Sequence, residues 1–307
     1  MRVAILFTDG VGVGPRDPAT NPLTRADYLL SQFSDGSGTA LPPSGVRHDV
    51  DTTFGVPGRP QSASNQTAIF TGRPAPVLLG RHVLGYPNAP LKGLLAAHSI
   101  VRTLTESGRT ATFANAYPAG YLDALGLKRR PSVGADIQIP PRFLRKLKPS
   151  ASTLAMSAAG VELRTLDDAR NAEGLTHDVD GSSAARRKLV VPLRSPEAAA
   201  AIFWKLSADF TLFEHYLADE AGHAQDLAAA EKALSTFDAF ARAVIAHRPA
   251  DCVVLICSDH GNVEDLSTRG HTLNPVSVLS FGEARFPALQ TVADVGSTAL
   301  CVLGVSA

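Results

Sequence analysis

The stretch Val253-Val254-Leu255-Ile256-Cys257-Ser258-Asp259-His260-Gly261-Asn262 decides the fold. Its first five residues are apolar or nearly so. They read as a buried strand that runs straight into an adjacent Asp-His pair. A carboxylate and an imidazole presented together at a strand's C-terminal edge suit a borderline divalent cation such as Zn²⁺ or Mn²⁺. A second histidine follows eleven residues later, in Gly270-His271-Thr272-Leu273-Asn274-Pro275-Val276, far enough for a loop to return over the same opening. Taken alone, the pair would equally suit an ordinary polar strand end.

Three other segments agree with the metal reading. Val3-Ala4-Ile5-Leu6-Phe7 is a second buried-strand run, and it ends on an acid, Asp9 of Thr8-Asp9-Gly10-Val11-Gly12. Phe210-Thr211-Leu212-Phe213 leads to Asp219-Glu220-Ala221-Gly222-His223. Gln61-Ser62-Ala63-Ser64-Asn65-Gln66-Thr67 reads as a small polar turn running into Ala68-Ile69-Phe70-Thr71-Gly72. Strands that each deliver an acid or a hydroxyl to one end of a sheet obey the rule for open α/β sheets, in which ligands bind outside the carboxyl ends.

In this order the motifs resemble the metalloenzyme core of the alkaline phosphatase superfamily. They look closest to cofactor-independent phosphoglycerate mutase and phosphopentomutase. The resemblance implies two divalent metal ions, Mn²⁺ favoured and Zn²⁺ possible. One would take Asp9, Ser62, Asp259 and His260; the other would take Asp219, His223 and His271. Two cations roughly 3.5–4 Å apart can clamp the attacking and leaving oxygens of an in-line displacement. The same resemblance makes Ser62 the nucleophile, because it lies ten residues before Gly72, the offset seen in the nucleotide pyrophosphatase/phosphodiesterase branch. Asn65 then matches that branch's asparagine, an oxyanion donor, although a helix N-cap is the other reading. Mutases instead carry Glu-Val-Gly-His after their serine, where this chain has Ala63-Ser64-Asn65-Gln66.

Composition bounds the alternatives. Lys+Arg and Asp+Glu both count 29 in 307 residues, so no net field points to nucleic acid. With 45% hydrophobic residues and no apolar run near the ~18 of a membrane span, no membrane partner is expected. The apolar run at Val3–Phe7 is too short for a signal peptide. Cys252, Cys257 and Cys301 lack metal-like spacing and read as core thiols, which suits a cytoplasmic protein.

Strands alternating with helices predict a doubly wound, mostly parallel α/β core over residues 1–116 and 194–307. Helices are expected over Leu91–Ser107, from Ser195 as N-cap through Lys205, over about Ala224–Ala246, and over Val292–Leu303. Residues 117–193, rich in proline and charge, fit the scheme poorly and read as a small inserted cap. Arg142 and Arg145 in that cap either hold a second anionic group of the substrate or belong to a solvated face. His177 reads as a loop histidine. His215, beside Glu214, stands near Asp219 and is a candidate supporting residue.

The function these features imply is two-metal phosphoryl transfer on a small phosphorylated substrate, through a phosphoserine at Ser62. A hydrolase is favoured, since a cap of this size is small for a mutase. A phosphosugar or phosphoglycerate mutase is the alternative, and a non-catalytic binding module of the same fold is the outside possibility.

Overall fold

The apolar runs that precede Asp9, Asp219 and Asp259 are three adjacent strands of one sheet. The computed structural model describes residues 1–133, 139–284 and 287–306; residues 134–138, within the expected cap, lie outside them. The strands are β1 (Arg2–Thr8), β2 (Gly45–Val50), β3 (Ala111–Phe113), β4 (Ala116–Tyr117), β5 (Arg164–Thr165), β6 (Phe210–His215), β7 (Cys252–Cys257) and β8 (Val276–Phe281). Six form the main sheet in the order β2-β8-β7-β1-β6-β3, while β4 and β5 pair separately. Only β8 runs against its neighbours, so the sheet is mostly parallel.

Between β2 and β3 lie α1 (Ser62–Thr71), α2 (Ala75–Leu79), α3 (Ala89–His98) and α4 (Ile100–Glu106). Next come α5 (Ala119–Ala124), α6 (Pro141–Leu144), α7 (Ala151–Ala158), α8 (Leu166–Arg170), α9 (Ser182–Arg186) and α10 (Pro196–Lys205). The remaining helices are α11 (Leu217–Ala224) and α12 (Leu227–Ala246) after β6, and α13 (Asp294–Val302) after β8.

Strand periodicity divides the core into two layers. Val3, Ile5 and Phe7 of β1 face α1, α4, α7 and α13, whereas Ala4 and Leu6 face α10 and α12. A sheet covered on both faces needs strands that are apolar throughout, which is why β1, β6 and β7 read as unbroken runs. The architecture is the expected doubly wound α/β sheet.

Some local expectations are corrected. Leu91–Ser107 is two helices, because Ser99 leaves helical geometry (φ −56°, ψ 126°) and its Oγ caps α4 by accepting from Arg102 N. The helix expected from Ala224 starts at Leu227, with Asp226 Oδ1 accepting from Ala229 N. Gln61–Thr67 is no turn: α1 begins at Ser62, and residues 63–71 are all buried. Gly296 lets α13 press onto α1, since a Cβ there would lie 2.2 Å from Ile69 O. Cys252 and Cys257 are buried, but Cys301 is exposed on α13. Within 117–193, α7 packs into the layer beside α1, α3 and α4. No helix among the described residues is long and apolar enough to cross a membrane.

Candidate metal centre and active site

Strand order places the acids. Strand β1 lies between β7 and β6, with Phe7 opposite Cys257 and Thr8 opposite His215. Asp9 therefore leaves the sheet centre flanked by the Asp259 loop on one side and by α11 on the other. Gly10 makes the turn at φ +72°, where a Cβ would come within 2.6 Å of Asp219 Oδ1.

Asp9, Asp259 and His260 form one buried group with ligand atoms close enough to share an ion. His260 Nε2 lies 3.4 Å from Asp9 Oδ1 and 3.4 Å from Asp259 Oδ2. Ser62 Oγ is 2.9 Å from the same nitrogen. Gln66, one turn along α1, donates Nε2–H bonds of 3.0 Å to Asp9 Oδ2 and to Asp259 Oδ2. Asp9 Oδ1 is buried and has no hydrogen-bond partner among the described residues. Burial, then the charges of Asp259 and Asp219, push the Asp9 carboxyl well above the ordinary range. So much unneutralised carboxylate in a dry site fits a cation.

Asp219, His223 and His271 form the second group. Asp219 and His223 sit one turn apart on α11, their Oδ2 and Nε2 separated by 3.2 Å. His271 Nε2 lies 3.7 Å from Asp219 Oδ1 and 3.2 Å from His223 Nε2. Each ring turns Nδ1 to a backbone carbonyl, His223 to Arg269 O and His271 to Pro60 O. Both Nε2 atoms are thereby left to face one small volume. The hydrogen bond to Asp219 raises His223 to about 9, while burial lowers His271 to about 4. Burial pushes Asp219 upward, but His223, His260 and Asn262 outweigh it and hold it at about 2. The donor set of both groups fits divalent ions such as Zn²⁺ or Mn²⁺.

The two groups adjoin. The His260 and His271 rings stack with centroids 3.7 Å apart. Glu264 fastens the loops that carry them, accepting from Gly12 N, Asn262 N, Thr272 Oγ1 and Asn274 Nδ2 at 2.5–3.0 Å. Gly222 permits α11 to approach, since a Cβ would meet Asn262 Cγ at 2.7 Å. Asn262 Nδ2 in turn donates to Asp219 Oδ1 at 2.7 Å.

Other sequence-derived positions fall elsewhere. Asn65 is fully buried, and its Nδ2 donates to Thr52 O (2.8 Å) and Asp259 O (2.9 Å). Both amide hydrogens are therefore committed to backbone, and Asn65 anchors the Asp259 strand end instead of facing an oxyanion. Arg142 and Arg145 are exposed and lie outside the cavity wall; Arg142 stacks over Phe143. His215 pairs with Thr8 Oγ1 and packs on Phe237, behind the sheet end.

A cavity of about 750 Å³ opens above the centre, with Asp9, Ser62 and Asp219 in its lining. Its wall contains residues to which no motif pointed: Tyr117, Tyr121, His177, Arg187, Glu214 and Tyr216. Burial raises the Glu214 carboxyl to about 7, opposed by the hydrogen bond from Ser152 Oγ at 2.8 Å. Proximity of Glu214 to the Asp219 motif was the one signal available for this group.

Known proteins are similar to this chain in part of its sequence and in its fold. Residues 193–307 match the model of the Metalloenzyme superfamily. A phosphopentomutase of Helicobacter pylori is 31% identical over 101 residues, 32% of this chain and 24% of that protein. A 2,3-bisphosphoglycerate-independent phosphoglycerate mutase of Desulforudis audaxviator is 36% identical over 107 residues, 32% of this chain and 21% of that protein. The matched segment thus spans less than a quarter of either relative's length. Over the whole chain the fold is similar to alkaline phosphatase from the Antarctic bacterium TAB5, with TM-score 0.57, 14% identity, and coverage of 100% and 99%. The cold-active alkaline phosphatase of a Shewanella species is similar too, with TM-score 0.52, 12% identity, and coverage of 99% and 100%. Residues 193–307 are thus similar in sequence to the Metalloenzyme superfamily, and the chain as a whole has an alkaline phosphatase-like fold.

Proposed function

We propose that the protein is a two-metal hydrolase of small phosphate esters that works through a phosphoserine at Ser62. The observation that carries this is convergence: Ser62 Oγ and both ligand groups meet at the floor of one cavity. Asp9, Ser62, Asp259 and His260 would hold one ion, and Asp219, His223 and His271 the other. When bound, the pair supplies positive charge that favours the serine alkoxide and draws a phosphoryl group to the floor. Mn²⁺ is the first ion to test and Zn²⁺ the second.

Ser62 opens α1, whose first-turn amides favour an anion beside the hydroxyl. Its Oγ attacks phosphorus in line, the P–O bond to the leaving alcohol breaks, and the phosphoryl group is left on Ser62. Water then releases phosphate and restores the hydroxyl. Gln66 fixes the Asp9 and Asp259 carboxylates in one orientation throughout.

Residues 117–193, apart from the core helix α7, are proposed to cover the substrate. The names of the curated relatives favour a second reading, a phosphomutase. Against it, the expected basic residues Arg142 and Arg145 stand outside the cavity. Product analysis separates the two: free phosphate marks the hydrolase, an isomeric phosphate ester the mutase.

The nucleophile is tested with Ser62→Ala in Mn²⁺-loaded protein. Turnover of phosphate esters should vanish with the thermal midpoint little changed. Near-wild-type activity in that variant would reject Ser62 and leave attack by water.

A further inference from the structure

Four rings form a continuous wall beside the catalytic floor. Tyr121 stacks on Tyr117 (centroids 5.9 Å, 16°), Tyr117 meets His177 edge-on (4.9 Å), and His177 meets Tyr216 (4.7 Å). These rings are held from behind. Tyr121 Oη donates to Lys148 O at 3.0 Å, and His177 Nδ1 lies 3.2 Å from Glu214 O and 3.0 Å from Asn115 Nδ2. Burial holds His177 down at about 4, so the wall carries no imidazolium charge at neutral pH. Phe143, Leu147, Leu166 and Leu189 extend the apolar lining.

Charge in the cavity is already spent. Among the described residues, Arg187 is the one lysine or arginine that lines it. Its guanidinium is tied to Glu220 by bonds of 3.1 and 3.0 Å. Elsewhere in this segment, Arg142 and Lys146 lie over the Phe143 ring, and other basic residues are ion-paired. Lys128 pairs with Glu162, Arg129 with Asp123, and Arg130 with Asp168 and Glu173. Among the described lining residues, a carboxylate or second phosphate on the substrate would meet only Arg187, already paired with Glu220. Tyr117 Oη is buried in this wall, beside Ser150 and Glu214.

Resting on the phosphoryl-transfer reading of the floor, we infer that the substrate is a phosphate monoester with a single anionic group and an uncharged, flat-ring leaving group. The ring lies along Tyr117, Tyr121, His177 and Tyr216. Offset or edge-on packing against such a wall rewards planar apolar groups. A cavity of about 750 Å³ accommodates a ligand of drug-like size. Along these four rings a polyhydroxylated leaving group would set polar atoms against ring carbon.

The test pairs a binding measurement with a kinetic one. Benzylphosphonate and 2-hydroxyethylphosphonate are titrated calorimetrically into the Mn²⁺-loaded protein. Benzylphosphonate should bind at least about tenfold more tightly, the order expected from burying one ring. Tyr216→Leu and Tyr121→Leu should each weaken benzylphosphonate roughly three- to tenfold and leave 2-hydroxyethylphosphonate unchanged. Equal affinities, equal effects of the substitutions on both ligands, or no binding of either overturns the inference. Turnover of benzyl phosphate is then compared with that of ribose 5-phosphate, both of which release primary alcohols. If ribose 5-phosphate is preferred, the ring inference fails while phosphoryl transfer stands. If neither ester is turned over but the phosphonate preference holds, phosphoryl transfer fails and the ring site stands.

Discussion

His223 Nε2 and His271 Nε2 face each other at 3.2 Å, and neither ring has its Nδ1 free to do the same work. Two neutral imidazoles so arranged oppose lone pairs, which is tenable only with a proton or a cation between them. That geometry ties the loop at 271 to helix α11, and it makes the pair sensitive to loss of either ring.

His271→Ala should therefore cost one bound ion of two. Metal analysis after equilibration with Mn²⁺ or Zn²⁺ and removal of the excess should count one per chain, held by the Asp9, Asp259 and His260 group. Retention of two ions would remove His271 from the ligand set.

Glu264 is expected to matter nearly as much without touching an ion. Glu264→Gln places an amide N–H where four donors converge. The unfolding free energy should fall by roughly 1–3 kcal/mol, the cost of leaving buried groups unpaired. Urea midpoints measure this, and metal retention should fall with them. An unchanged midpoint would mean the loops are fastened by other contacts.

Gly10→Ala combines two penalties, a positive φ and a Cβ 2.6 Å from Asp219 Oδ1. A loss of roughly 1–3 kcal/mol is expected, with weaker metal binding because Asp219 must shift. Wild-type metal affinity in this variant would show that Asp219 tolerates displacement.

The pH response has one contributor that can be isolated. Burial holds His215 neutral, down at about 3 against an ordinary 6.5. Between those values the unfolded chain binds the extra proton, so this residue's contribution rises with pH and is complete above about 6.5. In metal-free protein, His215→Asn should lose less stability than wild type when pH falls from about 7 to about 5. Parallel losses in the two proteins would assign the acid sensitivity to other groups.

The central sheet was legible because strands buried on both faces must be apolar throughout; β1 and β7 are followed within two residues by Asp9 and Asp259, and β6 leads into α11 with Asp219. Edge strand β2 was not, since Gly45-Val46-Arg47-His48-Asp49-Val50 is half exposed and carries no apolar run. Helix α1 hid for the opposite reason. With residues 63–71 all buried it has no polar face, and its small polar residues imitate a turn. Asp9, Asp259 and His260 follow strand ends closely, and Asp219 and His223 are one helical turn apart, whereas Ser62 opens α1 and His271 lies in the loop before β8; motif order brought these candidates together. The ring wall comes from three separated segments, bearing Tyr117 with Tyr121, His177, and Tyr216, which meet only in three dimensions, and no spacing announces that. Arg142 and Arg145 looked like substrate ligands because charge density in sequence says nothing about facing; Arg187, after an unremarked Arg186, is the one that turns inward.

The account stands on Ser62 as the group that carries phosphoryl between ester and water. Mn²⁺-loaded protein is mixed with benzyl phosphate, quenched in acid within the first turnovers, digested and sequenced by mass spectrometry. One phosphoryl group on Ser62, absent from Ser62→Ala and from metal-stripped protein, is the expected result. Full turnover with Ser62 unmodified at every quench time, and activity surviving in Ser62→Ala, would contradict it.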